Sequence, residues 1–454
     1  MIVQYVGLPV AAENGHLEIV KFLESKGSDV RAGKDYPLRY GCLDLGIVKF
    51  LHSKGADISA DNNFAIRCAS EKGKLEVVKY LYSCGADIRA DNDYAIRMAS
   101  ENGHLEIVKF LVSKGADIRA DNDYAIRMAS EHGYLDIVIF LESKGANIRA
   151  DNDYAIRKAS EKGKLKVVIF LESKGANVRA DNDYAIRNAL ENTNLDVVDF
   201  LISKGANIRY DNDNSMRWAS DKGNLRIMTF LHERGVDVRV ENDYPIRCAY
   251  NNLETIKFLH SKGANIRVDN DYVIRLASEV GNLEVVEYLH SNGAYVTAEN
   301  NYAIRMASKN GHIKVVKYLW SNGADVTADD DYPIRIASEK NYLDVIMFLE
   351  SKGANVRADN DYPIKCAYDN RNFKAMDFLI SKGVDITNIP KDISKNLIKC
   401  MYEIGKFDST LKLVNYFDSE NNFIKSSLLK IQNYRHNFMI NLKKQNYIDI
   451  TFKF

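Results

Sequence analysis

Residues 91–120 read DNDYAIRMASENGHLEIVKFLVSKGADIRA, and residues 121–150 repeat them almost letter for letter. So, with few changes, do the thirty residues before and the thirty after. Self-similarity at one short period marks a chain built by stacking copies of a unit, and it takes precedence over any single motif. Within the unit, Tyr94 to Asn102 predicts a short helix that turns Ile96, Ala99 and the aliphatic part of Met98 to one side. Asp93 stands where an N-cap belongs, with a carboxylate able to accept from free amides of the first turn. Gly103 is placed to end that helix, because the residue past the last turn often needs a positive φ. Leu105 to Ser113 predicts a second helix, its stripe made by Leu105, Val108 and Leu111 with Ile107 beside them. Gly115 closes it, and Ala116 to Asn122 crosses to the next unit as an extended, turn-rich connector. Neither helix is long enough to hold its shape alone in water. Each pair must bury its stripe against the pairs on either side, which is what a solenoid is.

At 454 residues an ordinary chain would suggest about three globular domains. A solenoid grows by stacking and needs no second core. Lys and Arg number 62 and Asp and Glu number 62, so no basic excess argues for nucleic acid and no acidic excess for a disordered tail. The six cysteines include no CxxC pair and no metal-ligand spacing. Cys68, Cys248 and Cys366 occupy one slot of different units and read as small apolar fillers. Free thiols fit a reducing compartment, so the expected location is the cytoplasm. The first residues, MIVQYVGLPV, lack the basic start of a signal peptide. No run approaches the roughly 18 apolar residues of a membrane span, and no membrane association is expected.

Thirteen units can be laid end to end over residues 1–388. The first, Leu8 to Arg31, is partial and lacks the Asp-Asn-Asp-Tyr start. The unit at 33–60 is two residues short between its helices, and the unit at 241–268 is short at the same place, around Tyr250 and Asn251. Both predict a clipped first helix. The pattern stops after Pro390, and Lys391 to Phe454 carries eleven basic and six acidic side chains. Residues 389–454 read either as a divergent helical cap over the last apolar face or as a module that recruits another protein.

The string GHLEIVKFLVSKGADI closely resembles the second half of an ankyrin repeat, and its variants run through most of residues 1–388. The first half departs from that family. Tyr-Ala-Ile-Arg, or Tyr-Pro-Ile-Arg from Tyr244, Tyr332 and Tyr362, stands where ankyrin repeats have Thr-Pro-Leu-His. The period is 30 residues where the family's is about 33. The missing residues fall in the connector that ankyrin repeats fold into a β-hairpin. This variant, in a chain rich in Asn, Ile, Lys and Tyr, is similar to the ankyrin arrays of amoeba-infecting giant DNA viruses of the mimivirus kind. The resemblance implies an all-α, ankyrin-type solenoid of antiparallel helix pairs with a C-terminal helical cap. It further implies a curved, monomeric stack that binds proteins, here host proteins, on its concave face without catalysis or cofactor. A narrower alternative is an adaptor that brings a target to a host ubiquitin ligase through its C-terminal segment.

Internal copies separate slots with one structural job from slots free to differ. Two arginine rows recur in most units, one in YAIR (Arg97, Arg127, Arg157), with Lys365 replacing it once, and one in the connector (Arg89, Arg119, Arg149). The aspartates of DND match them in number. An Arg/Asp ladder tying neighbouring connectors explains that stoichiometry better than a phosphate-binding groove, so nucleic acid is not an expected partner. The tyrosines (Tyr94, Tyr124, Tyr154) read as packing at the start of each first helix, ahead of a base-stacking ladder. The slot after the YAIR arginine varies: Met98, Met128, Lys158, Asn188, Trp218, Leu276, Met306 and Ile336, with Cys68 and Cys248. Adaptable Met and hot-spot Trp make this row the candidate partner-binding surface. A half-buried packing position with loose size limits explains it equally well. The slot between the helices (Lys74, His104, Tyr134, Lys164) reads as solvated loop. Ile139, Ile169, Trp320 and Met347 replace polar residues on second helices and suggest another apolar patch. No phosphate loop, HExxH or nucleophile elbow occurs, so no catalytic, metal or cofactor site is expected.

Overall fold

The computed structural model describes residues 2–384, and among them it has 26 α-helices and no strand. The segment 389–454, expected to cap the stack or recruit a partner, lies outside the described residues. The chain divides into two compact units, Met1–Ser215 and Met216–Phe454. Both are built the same way. In each, a first helix such as Ala120–His132 lies antiparallel to a second such as Leu135–Ser143. Successive first helices pack on one another more intimately than successive second helices.

The side chains explain that asymmetry. First helices meet through Ala95, Ala99 and Ser100, all 0% exposed, which let two backbones approach closely. Second helices contribute Ile107, Val108 and Leu111, at most 2% exposed, which fill the layer between. Leu105, read as part of the stripe, is only half-buried. Methyl and branched side chains removed from water supply the main drive to stack, because each pair has no core of its own.

The connectors are short, as expected, but they are not extended. Asp91, Asn92 and Asp93 have φ of 59°, 55° and 57°, one turn of left-handed helix running straight into the right-handed one. The same three-residue turn opens nearly every other first helix, for example Asp121–Asp123, Asp151–Asp153 and Asp359–Asp361. L-residues resist this region because Cβ crowds the following carbonyl, and Asn and Asp tolerate it best. That is the physical reason for DND, and it replaces the hairpin that the shorter period cannot accommodate. Asp93 is therefore not an N-cap. The first helix has no side-chain cap bond, and the Asp93 carboxylate serves the next connector instead.

The two short units have clipped first helices, Ala32–Tyr40 and Val240–Cys248, nine residues against the twelve or thirteen of the others. The deletion removes the glycine turn. Asp44 and Asn252 then cap the following helices, accepting from Ile47 N at 2.8 Å and Thr255 N at 3.0 Å. In full units that turn is held by a glycine such as Gly103, φ 82°. Thr193 stands in the glycine position with φ 61°, where a β-branched side chain is strained. Thr193→Gly should raise stability by about 1 kcal/mol, read as a higher urea midpoint. An unchanged or lower midpoint would contradict the assigned backbone.

Candidate functional site

The recurring Asp, Arg and Tyr side chains are spent on fixing the connectors and tying each unit to its neighbours. Asp93, 3% exposed, accepts at 2.7 Å from the backbone amide of Asp117, in the connector that leads out of the same unit towards the next. Asp123 does the same for Asn147 at 2.7 Å and Asp153 for Asn177 at 2.9 Å. The connector arginine backs each one, Arg89 Nε lying 3.4 Å from Asp93 and Arg149 Nε 3.3 Å from Asp153. A part-buried amide without an acceptor is costly, so this bond fixes the path of the connector into the next unit.

The YAIR arginine holds the left-handed turn itself. Arg157 Nε and Nη2 donate to the carbonyls of Asn152 and Asp151, each at 2.9 Å, and Nη1 reaches the Asp181 carboxylate of the next unit at 3.0 Å. Its guanidinium lies between the rings of Tyr154 and Tyr184, 5.8 and 5.1 Å from their centroids. Three donors in a planar fork meet three acceptors, a task that lysine's single ammonium cannot match. The tyrosine hydroxyls turn the other way. Tyr124 donates to Glu101 at 2.6 Å and Tyr154 to Glu131 at 2.7 Å, both in preceding units. Burial and then the carboxylate push both phenols up to about 12. Both Arg rows are thus internal ties, and the tyrosines pack as expected.

The carboxylate and arginine also change together. Where the third residue of the turn is Asn63 or Asn301, the arginine four residues earlier is Ser59 or Thr297. Both amides still accept from the next connector, at 2.9 and 3.0 Å. Asp331 breaks the rule, because Thr327 stands where its arginine would be. Burial there pushes the carboxyl above the ordinary aspartate value of 3.8, against the amide of Asn355 donating to it. A raised carboxyl favours the protonated folded state. Its contribution is full below the unfolded value and is lost as pH rises through the folded one. Asp331→Asn should therefore stabilise the protein at neutral pH, and the gain should shrink as pH falls through the carboxylate range. A stability difference flat from pH 3 to pH 7 (about one unit below to three above that range) would contradict this.

The slot between the helices is not solvated loop. His104 Nε2 sits 2.9 Å from the Glu71 carbonyl, and Asn194 Nδ2 donates to the Glu161 carbonyl at 2.9 Å. Each closes the frayed end of the previous first helix. Its side chain lies across the previous turn glycine, where a Cβ on Gly103 would meet Tyr134 at 2.7 Å.

The variable row is what remains. In the first compact unit Met98, Met128, Lys158 and Asn188 are half-buried, each flanked by the YAIR arginine and the invariant alanine. In the second, Trp218, Leu276 and Ile336 are half-buried too, but Met306 is 8% exposed. Met306 is therefore packing and presents little to a partner. Lys158 is engaged internally, donating to Glu161 at 2.6 Å and to the Tyr184 hydroxyl at 3.0 Å. Burial opposes its charge, but those two bonds hold it above the usual lysine value. Met98 and Met128 lie on adjacent first helices. On second helices, Ile139 and Ile169 are 41% and 43% exposed and also adjacent. Met347 is 48% exposed. Trp320 stacks edge-on against Phe348, with Lys352 Nζ 4.1 Å above its ring.

Among the described residues no group of His, Cys, Asp and Glu is arranged to hold a metal, and no helix is long and apolar enough to cross a membrane. The family model for ankyrin repeats matches three times, over residues 65–152, 154–242 and 246–330, which together are more than half of the chain. No curated protein matches the chain. Stacked helix pairs with these repeats make the chain a member of the ankyrin-repeat family.

Proposed function

We propose that this protein is a non-enzymatic scaffold that binds a protein partner along the face formed by its first helices. Ankyrin repeats are generally protein–protein interaction modules. One observation carries the choice of face: the recurring Asp, Arg and Tyr slots are consumed by bonds inside the stack, while Met98 and Met128 stand side by side, half-exposed, with no internal polar task. Methionine suits a contact surface because its flexible thioether adapts to a partner's shape. In the second compact unit the same slot holds Trp218, the residue type most often found at binding hot spots. Both arginine rows already have internal acceptors, which favours a protein over a nucleic acid as partner. The resemblance to giant-virus arrays supports a host protein as partner and the host cytoplasm as location, with the scaffold acting as a monomer.

Proximity labelling in cells would identify the partner, and titration of the purified pair would test the face. Met98→Glu with Met128→Glu should weaken binding about tenfold or more at unchanged helicity, and Ile139→Glu with Ile169→Glu should not. The reverse result would move the site to the second-helix patch. A second reading, an adaptor for a host ubiquitin ligase, rests on the break in the repeat after Pro390. Deleting residues 391–454 should then remove ligase recruitment and leave target binding intact, whereas aggregation on deletion would identify the segment as a cap.

A further inference from the structure

Tyrosine–glutamate bonds tie successive first helices in full units, as Tyr124 to Glu101 and Tyr154 to Glu131 do. The junction between the units at 33–60 and 61–90 has neither group. Gly41-Cys42-Leu43-Asp44 stands where the next unit reads Ala69-Ser70-Glu71-Lys72-Gly73-Lys74, so the glutamate is gone. Phe64 holds the tyrosine slot and has no hydroxyl to donate. The last turn of the first helix, Ala32–Tyr40, is gone as well. At this junction lies a cavity of about 290 Å³, with Glu13, Tyr40, Leu43, Phe64, Cys68 and Glu71 among its walls. A polar pair has thus been exchanged for an apolar one, and Leu43 is left 40% exposed. Tyr40 and Cys68 each follow the arginine of their unit, so the cavity continues the variable row of Met98 and Met128.

We propose that this cavity receives one uncharged aromatic side chain of the protein partner, which anchors the partner at the start of the row. The anchor rests on the reading that places the partner along the first helices. Charge selects the occupant. The Arg39 guanidinium lies 5.7 and 5.8 Å from the ring centroids of Tyr40 and Phe64, and that of Arg67 lies 5.6 Å from Phe64. A visiting cation would meet both of these fixed like charges. A visiting anion would meet Glu13 and Glu71 in the walls. A neutral ring meets neither penalty. The rings of Tyr40 and Phe64 are 5.1 Å apart and tilted by 42°, and a third ring packs favourably on such a pair, offset or edge to face. Pockets for small ligands begin at about 300 Å³, so the space suits one large side chain. Aromatic anchors seated in pockets carry much of the energy of protein recognition.

The test labels the leucine methyls of the full chain and follows them by NMR during titration with indole as neutral probe, and with benzylammonium and benzoate as charged ones. Indole should shift the Leu43 methyl signals saturably, neither charged probe should do so at equal concentration, and Cys68→Met should weaken indole about tenfold or more. Methionine already fills this slot at Met98 and Met128 in the next two units. Should the variant fail to fold, the Leu43 shifts in the natural chain decide. In titration against the partner, Cys68→Met should weaken binding by a similar factor. The proposal is overturned if indole gives no saturable Leu43 shift up to its solubility limit, if a charged probe binds as tightly, or if Cys68→Met leaves indole binding unchanged. If Met98→Glu with Met128→Glu weakens the partner and Cys68→Met does not, the face stands and the anchor falls. If indole binds at Leu43 and neither change affects the partner, the face falls and the anchor with it.

Discussion

Asp123→Ala is expected to destabilise the stack by about 2–4 kcal/mol in urea unfolding, and Asp123→Asn by less than about 1 kcal/mol. Alanine removes the acceptor of the Asn147 amide, 2.7 Å away at a residue 3% exposed. An orphaned, part-buried donor of this kind costs about 1–3 kcal/mol. It also places an alanine at φ 58°, which adds about 1 kcal/mol. Asparagine keeps the oxygen and the left-handed preference. The protein already uses it so at Asn63 and Asn301, whose side-chain oxygens accept from Asp87 N and Asp325 N. What asparagine loses is the ion pair with Arg119, 3.6 Å away on a side chain 61% exposed, and such pairs contribute little. Equal losses for both variants would place the stabilisation in charge and not in the amide bond.

The second large effect separates the two arginine rows. Arg157→Ala should cost about 2–3 kcal/mol, and Arg149→Ala less than about 1 kcal/mol. Arg157 is 12% exposed and bonds two carbonyls of the strained turn plus the next unit's Asp181. Arg149 is 58% exposed and meets only Asp153. Arg157→Lys should recover little, since one ammonium cannot span acceptors fixed around a planar fork. Similar losses in both rows, read as shifts in urea midpoint, would mean that the turn needs no clamp.

The repeat, the helix pairing and the clipped units were legible because hydrophobic spacing and the count of residues between glycines are one-dimensional signals. The left-handed turn was not. Asp at that place has a familiar use as an N-cap, and three consecutive Asx residues are seldom met as a left-handed coil. The available signal was that DND combines the residues most tolerant of positive φ, with Gly33, Lys34, Glu241 and Glu299 the exceptions among the described turns, all at the first two positions. The loop between helices was misread for a similar reason. His104, Tyr134 and Asn194 look like solvent-facing choices until the preceding unit is placed beneath them, because the contact spans 33 residues for His104 and Asn194. The variable row was located by its variability, yet its depth depends on local packing, and Met306 is deeper than Met98. Partner identity leaves no trace in slots that do not repeat.

The central claim is that each left-handed turn fixes the connector leading to the next repeat through one carboxylate-to-amide bond. Hydrogen exchange at the Asn147 amide, resolved by mass spectrometry or NMR, tests it directly. The expected result is strong protection in the natural protein and in Asp123→Asn, and loss of protection in Asp123→Ala while the amides of Leu135–Ser143 stay protected. Equal exchange at Asn147 in all three proteins would contradict it.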